Sequence, residues 1–361
     1  MIHLDGFPIS QSAGRGESGV VEAKWTKVLA VALTAVAIPP LVARAAGGES
    51  PDPSPRLAAL TPVATPFAVA GVAVAAATSW WLALLLSAPA ATLLAWQLPP
   101  ARRPNRIVAQ LPQAPDPGPG VLSLRVLTLN LLGGKADPAA VVREIERHRV
   151  DVLVLQELTS EMVDRLAEAG VDTRLPFCQL DPRPGPNGTG LWTRWPLAPL
   201  PPIPGLVAAA PRARIEPVAG WPVTLTGVHP RPPMRRRARR WQRELAAIRS
   251  AVAATGGQQV VAGDFNASRD HRPFRDLLDA GFLDSADAAQ QRRWPAFTWP
   301  AGGRIPPIMR LDHVLVSRAG ATVCASRVIQ VPGTDHRGVL AVIELAPAGP
   351  DPRAVRAPRP R

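Results

Sequence analysis

The chain contains no tyrosine, so no phenol takes part in its chemistry, and lysine occurs only at positions 24, 27 and 135 among 41 basic residues. It has two cysteines, Cys178 and Cys324, far apart and without metal-ligand spacing, which leaves one disulfide and two buried thiols equally open. Beyond residue 120 there is no GxGxxG and no Walker loop, which argues against a doubly wound nucleotide binder. Acidic residues are outnumbered 28 to 41, for a net charge of +13. Because the excess is almost all arginine and comes with 43 prolines, it reads partly as compositional bias. It permits an anionic partner without requiring nucleic acid.

Charge is missing altogether between Arg56 and Arg102, where a run rich in Ala, Val and Leu is long enough for two membrane spans of about 20 residues each. Thr78 and Ser79 divide it into spans at 57–77 and 79–98, with Trp80 and Trp81 as interfacial anchors. Ahead of it, residues 28–43 form a shorter charge-free run, the core of a span at about 26–44, flanked by Lys24, Lys27 and Arg44, with Trp25 suited to an interface. We read it as an uncleaved first span; the rival reading is a signal peptide cleaved near the alanines at 43–46. The chain thus divides into a disordered N-terminus (1–23), a unit of about three transmembrane helices (24–101), a proline-rich linker (102–120), a C-terminal domain (121–346) and a disordered Pro/Arg tail (347–361). Lys24 and Lys27 favour an inside N-terminus, whereas Arg102, Arg103 and Arg106 favour an inside C-terminal end, and three spans cannot obey both. Long domains translocate largely regardless of charge, so the expectation is a multi-pass cell-membrane protein with an extracytoplasmic C-terminal domain.

Within that domain, segments of strand character repeatedly deliver a polar residue to their ends. Residues 123–129 alternate as a strand and end at Asn130; Asp137 and Pro138 are an N-cap and first helical residue, with Val141, Val142 and Ile145 as the apolar face. Residues 150–156 form a buried strand leading to Glu157, residues 190–193 one leading to Arg194, and residues 223–228 one leading to His229. A helix is expected at about 234–254, followed by a strand through Val260 and Val261 that ends in Asp264 and Asn266, two apart and therefore on one side of an extended chain. A strand at 311–317 opens with Asp312 and His313, and Asp335 and His336 precede another at 338–345. Such mixed spacing suggests an α/β sandwich. Each polar residue has a bland reading as a capped turn, but jointly they supply oxygen ligands for a hard divalent cation and a base for hydrolysis.

In order, these residues read N…QE…H…GDFN…LDH…DH, which resembles the endonuclease/exonuclease/phosphatase superfamily of DNase I-like nucleases, sphingomyelinases and inositol polyphosphate phosphatases. The segments TGLWTRWPL, VHPRPP, GDFNASRDHRPFRDLL, TWPA and TDH, with the N-terminal spans, resemble its membrane-anchored teicoplanin-resistance branch. The resemblance implies a four-layer α/β sandwich and an Mg²⁺-dependent hydrolase, with Mn²⁺ as a substitute. Glu157 would be the principal metal ligand, Asn130 would hold metal or phosphate beside it, and Asp335 would be a further carboxylate. Asp264 would orient the attacking water and Asn266 the phosphoryl oxygens. His336 would act at the phosphate with Asp312 orienting its ring, and His229 would act on the leaving group.

His148 is read as a surface residue on a helix, and His313 should face away from Asp312, its chain neighbour. His271 lies five residues past Asn266, within reach of the site by sequence distance alone. The arginines at 235, 236, 237, 239 and 240, with Arg231 before them, are a solvated helix face or a collar for phosphates or anionic headgroups. The expected function is hydrolysis of a phosphoric ester or pyrophosphate, with a lipid-linked phosphate at the plasma membrane as the favoured substrate. A nuclease of the same fold is the enzyme alternative, and a non-catalytic membrane receptor the alternative from another class.

Overall fold

The computed structural model describes residues 14–46, 54–97, 121–234, 237–289 and 296–346; the linker expected at 102–120, the tail at 347–361, residues 1–13 and the arginines at 235 and 236 lie outside them. The N-terminal unit holds α1 (Gly14–Ala35), α2 (Ile38–Ala45), α3 (Ser54–Ala59), α4 (Thr61–Ala76) and α5 (Trp80–Gln97). Helix α1 begins at Gly14, inside the stretch expected to be disordered up to residue 23. Its junction with α2 falls just before Pro39 and Pro40, where a proline ring disfavours helical geometry in the residue ahead of it.

Only one segment, Val21–Ala45, is long and apolar enough by itself to cross a membrane among the described residues, with a mean hydropathy of 2.0 over its apolar window. The expectation of three full spans is corrected to this one and two shorter apolar helices, Thr61–Ala76 and Trp80–Trp96. The turn at Leu60 separates α3 from α4 and shortens the second, and the turn at residues 77–79 sets the start of the third. Ala30, Ala75 and Leu82 meet in one small apolar cluster, and Ala37, Ala64, Ala68, Ala90 and Leu93 in another, so α4 runs antiparallel to both α1–α2 and α5. Gly71 permits the close crossing: a Cβ there would collide with Thr34 Oγ1 and the Ala30 carbonyl.

The catalytic part contains β1 (Leu122–Asn130), α6 (Pro138–His148), β2 (Val152–Gln156), α7 (Ser160–Glu168), α8 (Val171–Arg174), β3 (Phe177–Asp181), β4 (Thr189–Thr193), β5 (Leu197–Pro199), β6 (Arg212–Ile215) and β7 (Val223–Val228). It continues with α9 (Ala238–Thr255), β8 (Gln258–Asp264), α10 (Arg272–Asp279), β9 (Phe282–Asp284), α11 (Ser285–Ala288), β10 (Asp312–Ser317), β11 (Ala321–Gln330) and β12 (Arg337–Leu345). Two mixed six-stranded sheets result, ordered β11-β12-β1-β2-β4-β3 and β5-β6-β7-β8-β10-β9. Asp137 caps α6 as expected, accepting from the Ala139 and Ala140 amides.

Alternation along the strands sorts side chains into layers. Leu124 and Val126 of β1 face Val260 and Ala262 of β8 and Val314 and Val316 of β10 in a core between the sheets. Leu127 and Leu129, of opposite parity, pack instead under α6 and α7 with Val141, Ile145 and Met162. On the other outer face Val261 and Leu315 pack against Trp241, Leu245 and Ile248 of α9 and Phe274 of α10. The order helix, sheet, sheet, helix is the four-layer α/β sandwich expected from the sequence.

Candidate active site

The core between the sheets turns polar at one end. Val126, Val154, Ala262 and Val314 are apolar residues of that core, and the period of two carries their faces on to Thr128 and Asn130 in β1, Gln156 in β2, Asp264 in β8 and Asp312 in β10. Asp312 stands directly opposite Asp264 in the β8–β10 ladder. Strand alternation therefore both fills the core and aims the polar ends of four strands at one point. Thr128 and Gln156 satisfy each other there, at 3.0 Å from Gln156 Nε2 to Thr128 Oγ1.

Asn130, which is buried, is the hub. Its Nδ2 donates to Glu157 Oε1 and to Asp264 Oδ2, both at 3.1 Å, while its Oδ1 accepts from the Leu132 amide at 2.9 Å. Glu157 sits past the end of β2 with φ +56°, a left-handed turn that swings its carboxylate back, and its Oε2 accepts from the Gly133 amide at 2.7 Å. Asp264 Oδ1 accepts from the Asn266 amide at 2.8 Å, and Asn266 Nδ2 donates to the Pro230 carbonyl at 3.0 Å. One amide proton of Asn266 thus remains for a ligand.

Across the site, Asp312 Oδ2 lies 2.9 Å from His336 Nδ1, and the His336 Nε2 edge faces Asp264 Oδ2 at 3.8 Å. His229 Nε2 is 3.6 Å from the same oxygen. Burial alone would lower the basicity of His336, but Asp312, Asp264 and Asp335 outweigh it and push the imidazole up to about 10. Burial raises Asp312 as well, so the two groups share a proton across the 2.9 Å contact.

The donor set fits a divalent cation. Glu157 and Asp264 converge on a single neutral amide, Asp312 Oδ1 is buried without a hydrogen-bond partner, and ligand atoms of Asp264, Asp312 and His336 lie within 4.8 Å of one another. So much negative charge in one buried place calls for a hard cation with oxygen ligands. The cavity beside it, of ≈ 250 Å³, is lined by Glu157, His229, Asp264, Asn266 and His336, joined by Asn187, Arg231 and Arg237.

Of the expected site residues, Asn130, Asp312 and Asp335 do not line this cavity; the first two lie behind it, bonded to Asp264 and His336, whereas Asp335 turns away. Its Oδ2 accepts from Trp299 Nε1 at 3.2 Å, because consecutive residues point opposite ways and His336 takes the inward direction. His313 faces away from Asp312, with Nδ1 2.8 Å from Asp284 Oδ2 and Nε2 2.9 Å from the Ala267 carbonyl oxygen. His271 is engaged outside the site, and His148, expected on the surface, is largely covered and lies 3.0 Å from Glu144. Asn187 had no sequence signal: it ends a 3₁₀ turn, Gly185–Asn187, in the loop between β3 and β4. Thr298 was missed as well; its Oγ1 accepts from the Leu311 and Asp312 amides at 3.0 and 3.3 Å and so fixes the start of β10.

The same fold is found in known proteins. The crystal structure of D. rerio TDP2 complexed with single strand DNA product aligns with a TM-score of 0.51 at 16% identity, covering 61% of this chain and 98% of that one. Truncated Caenorhabditis elegans TDP2 aligns with a TM-score of 0.50 at 15% identity, over 62% and 98%. At 20% identity, a 3′ phosphatase NExo from Neisseria bound to product DNA hairpin reaches 0.49 over 60% and 98%. At these identities the likeness concerns the fold. No curated protein matches the sequence. The profile of the Endonuclease/Exonuclease/phosphatase family, however, matches residues 127–336, more than half of the chain. The chain therefore belongs to the Endonuclease/Exonuclease/phosphatase family and is a metal-dependent hydrolase of that type.

Proposed function

We propose that the chain is a membrane-anchored hydrolase that uses a divalent metal, Mg²⁺ with Mn²⁺ as a substitute, to cleave a phosphoric ester or pyrophosphate carried by a lipid, with its catalytic domain outside the cytoplasmic membrane. The observation that carries this reading is the way the helical unit meets the catalytic domain. Lys27 and Val28 lie beside Trp81 and Leu82 at one end of the hairpin. At the other end the Arg44 guanidinium stacks over Trp96 at 4.8 Å and pairs with Asp270 of the catalytic domain. Three antiparallel passes, with Lys24 and Lys27 held inside, would put the catalytic domain on the outer side. Trp25, Leu29, Trp80, Trp81, Leu84 and Leu85 are exposed, as lipid-facing residues would be. The resemblance to the teicoplanin-resistance branch supports the same side and a cell-envelope substrate. A site tethered to the bilayer gains effective concentration for a membrane-resident substrate and nothing for soluble DNA.

Glu157 would hold the metal, which would supply charge neutralisation for the phosphoryl group; Asn130, expected beside it as a ligand, instead presents its Nδ2 donor and would orient the Glu157 and Asp264 carboxylates. Asp264, already oriented by Asn130 and the Asn266 amide, would accept a hydrogen bond from the attacking water and take its proton as the water oxygen bonds to phosphorus and the P–O bond to the leaving group breaks. The spare amide proton of Asn266 binds a phosphoryl oxygen, and the His336 ring, held by Asp312, meets charge developing on another. His229 is placed to give a proton to the departing oxygen. Asp335, turned onto Trp299, acts through the field at His336.

The test is the full chain in detergent micelles with Mg²⁺, offered an isoprenyl diphosphate, a generic phosphodiester and DNA in parallel. Preferential turnover of the isoprenyl diphosphate is expected. Cleavage of DNA alone would favour the nuclease reading, for which the net charge of +13 and the DNA-bound state of the TDP2 relative are the support. Alkaline phosphatase and fluorescent-protein fusions at residue 118 decide the side: an active phosphatase is expected, and a fluorescent, phosphatase-inactive result would place the domain inside.

A further inference from the structure

The lining of the cavity carries a cation that the catalytic reading does not use. Arg231 lies two residues past His229, between Pro230 and Pro232. Its Nη2 donates to Asn187 Oδ1 at 3.0 Å, a neutral acceptor, and its Nε is buried without a hydrogen-bond partner. No carboxylate pairs with this guanidinium among the described residues. A buried guanidinium N–H left unpaired is costly unless a ligand completes it, and the planar fork of arginine matches phosphate oxygens.

The side chain is also built in rather than loose. The Arg231 amide donates to Glu244 Oε2 at 2.8 Å, and Glu244 is a buried residue of α9. The preceding carbonyl, Pro230 O, accepts from Asn266 Nδ2 at 3.0 Å. Asn187 is tied in turn, its carbonyl accepting from the Ala209 amide at 2.7 Å. Flanking prolines restrict the backbone on both sides of the arginine. The residue placed to bind the phosphoryl group and the arginine beside it are therefore held by one strap.

We propose that Arg231, seated by Asn187, forms a second anion subsite next to the phosphoryl site, and that the substrate is a diphosphate whose neighbouring phosphate occupies it. The acidic wall meets its charge balance through a metal, so the phosphate bound there does not also neutralise Arg231; a second phosphate, one bridging oxygen away, does. The volume agrees. At ≈ 250 Å³ the cavity falls below the roughly 300–1,000 Å³ that enclose a drug-sized ligand, so it takes a charged headgroup and leaves the rest of the molecule outside. Arg237, exposed on the cavity lining, extends the same positive wall. The inference deepens the hydrolase reading and rests on it for the identity of the reacting phosphate, but a binding measurement tests it separately.

The measurement is calorimetric binding of inorganic diphosphate and of inorganic phosphate to the full chain in micelles, with divalent metal in excess. Arg231→Gln is expected to weaken diphosphate at least tenfold and to change phosphate by less than twofold. Asn187→Asp, which supplies a charged partner to Arg231 without removing it, is expected to reproduce the selective loss and covers the case in which Arg231→Gln does not fold. Equal losses for both ligands would make Arg231 part of the phosphoryl site, and no loss for either would make it structural; either result overturns the subsite. Farnesyl diphosphate in micelles and a nucleoside diphosphate in solution separate the lipid-linked from the free source. Selective diphosphate binding without turnover of any phosphate would leave the subsite standing and remove the hydrolase reading instead.

Discussion

His336 illustrates how much one residue depends on its neighbours. Its ring has two nitrogens, and the 2.9 Å bond from Nδ1 to Asp312 decides which of them faces the cavity. Asp312→Asn preserves the shape but not the charge, so kcat is expected to fall by about 10²–10⁴-fold with little change in KM. Collapse of affinity with saturating turnover intact would instead make Asp312 a substrate contact. A stability effect follows from the same pair. The folded-state pKa of His336 is raised above its ordinary value of 6.5 to about 10, so the folded chain keeps a proton that the unfolded chain releases. The stabilisation is complete below 6.5 and is lost as pH rises towards 10. In a chelator, the melting temperature should therefore drop between pH 7 and 10, and Asp312→Asn should flatten that slope. A wild-type slope that survives Asp312→Asn would assign the titration elsewhere.

At the level of elements, the part of the site legible in the sequence was the part that strand periodicity controls. Asn130, His229, Asp264 and Asp312 could be named because each lies at the end of a run of Val, Leu or Ile whose alternation also fixes the face it occupies, whereas Glu157, of the opposite parity to Gln156, reaches the site through the left-handed turn at its own position. What escaped has no period. The short strands β5 and β9 are too brief to alternate, and β6 reads Arg-Ala-Arg-Ile, with Arg212 buried only because it reaches the Pro201 carbonyl and Thr255 Oγ1. Asn187 and Arg231 are 44 residues apart and meet through loops, so nothing local links them. The contact of β7 with β8 was also unreadable, though it controls the site. Gly263 approaches β7 so closely that a Cβ would collide with the Val228 carbonyl, one residue before His229 and one before Asp264 in their respective strands. Gly263→Ala is expected to push the two strands apart, costing about 1–3 kcal/mol of stability. It should lower activity more than that loss alone explains, because His229 and Asp264 separate. Thermal unfolding together with kinetics on the folded fraction checks this; an unchanged specific activity would mean that the strands absorb the methyl elsewhere.

Across the whole molecule, the helical unit and the catalytic domain are joined around the start of α10. Arg44 pairs with Asp270, Arg56 Nε donates to the Pro233 carbonyl at 3.3 Å, and His271 Nε2 lies 2.7 Å from the Pro55 carbonyl oxygen. His271 Nδ1 accepts from the Ser268 amide, so the ring is neutral with its proton on Nε2, and that proton is donated to Pro55. Burial, with the charges of Arg275 and Arg44, lowers the His271 pKa from 6.5 to about 4 against the pull of its two backbone hydrogen bonds. Protonation would leave Nδ1 unable to accept and place a cation beside two others. Between pH 6.5 and 4 the separated or unfolded form binds a proton that the docked form refuses, so docking is at full strength above 6.5 and weakens as pH falls towards 4. The depression from 6.5 to about 4 corresponds to roughly 3 kcal/mol at the low end of that window. Hydrogen exchange in the full chain should therefore accelerate in α10 and at the Pro233–Met234 turn when pH is lowered from 7 to 5, after correction for the intrinsic rate. His271→Gln keeps a donor for Pro55 but cannot titrate, so the variant should respond far less over the same range. If wild type and variant loosen alike, the docking is controlled by the Arg44–Asp270 pair, and His271 is only part of the packing that surrounds it.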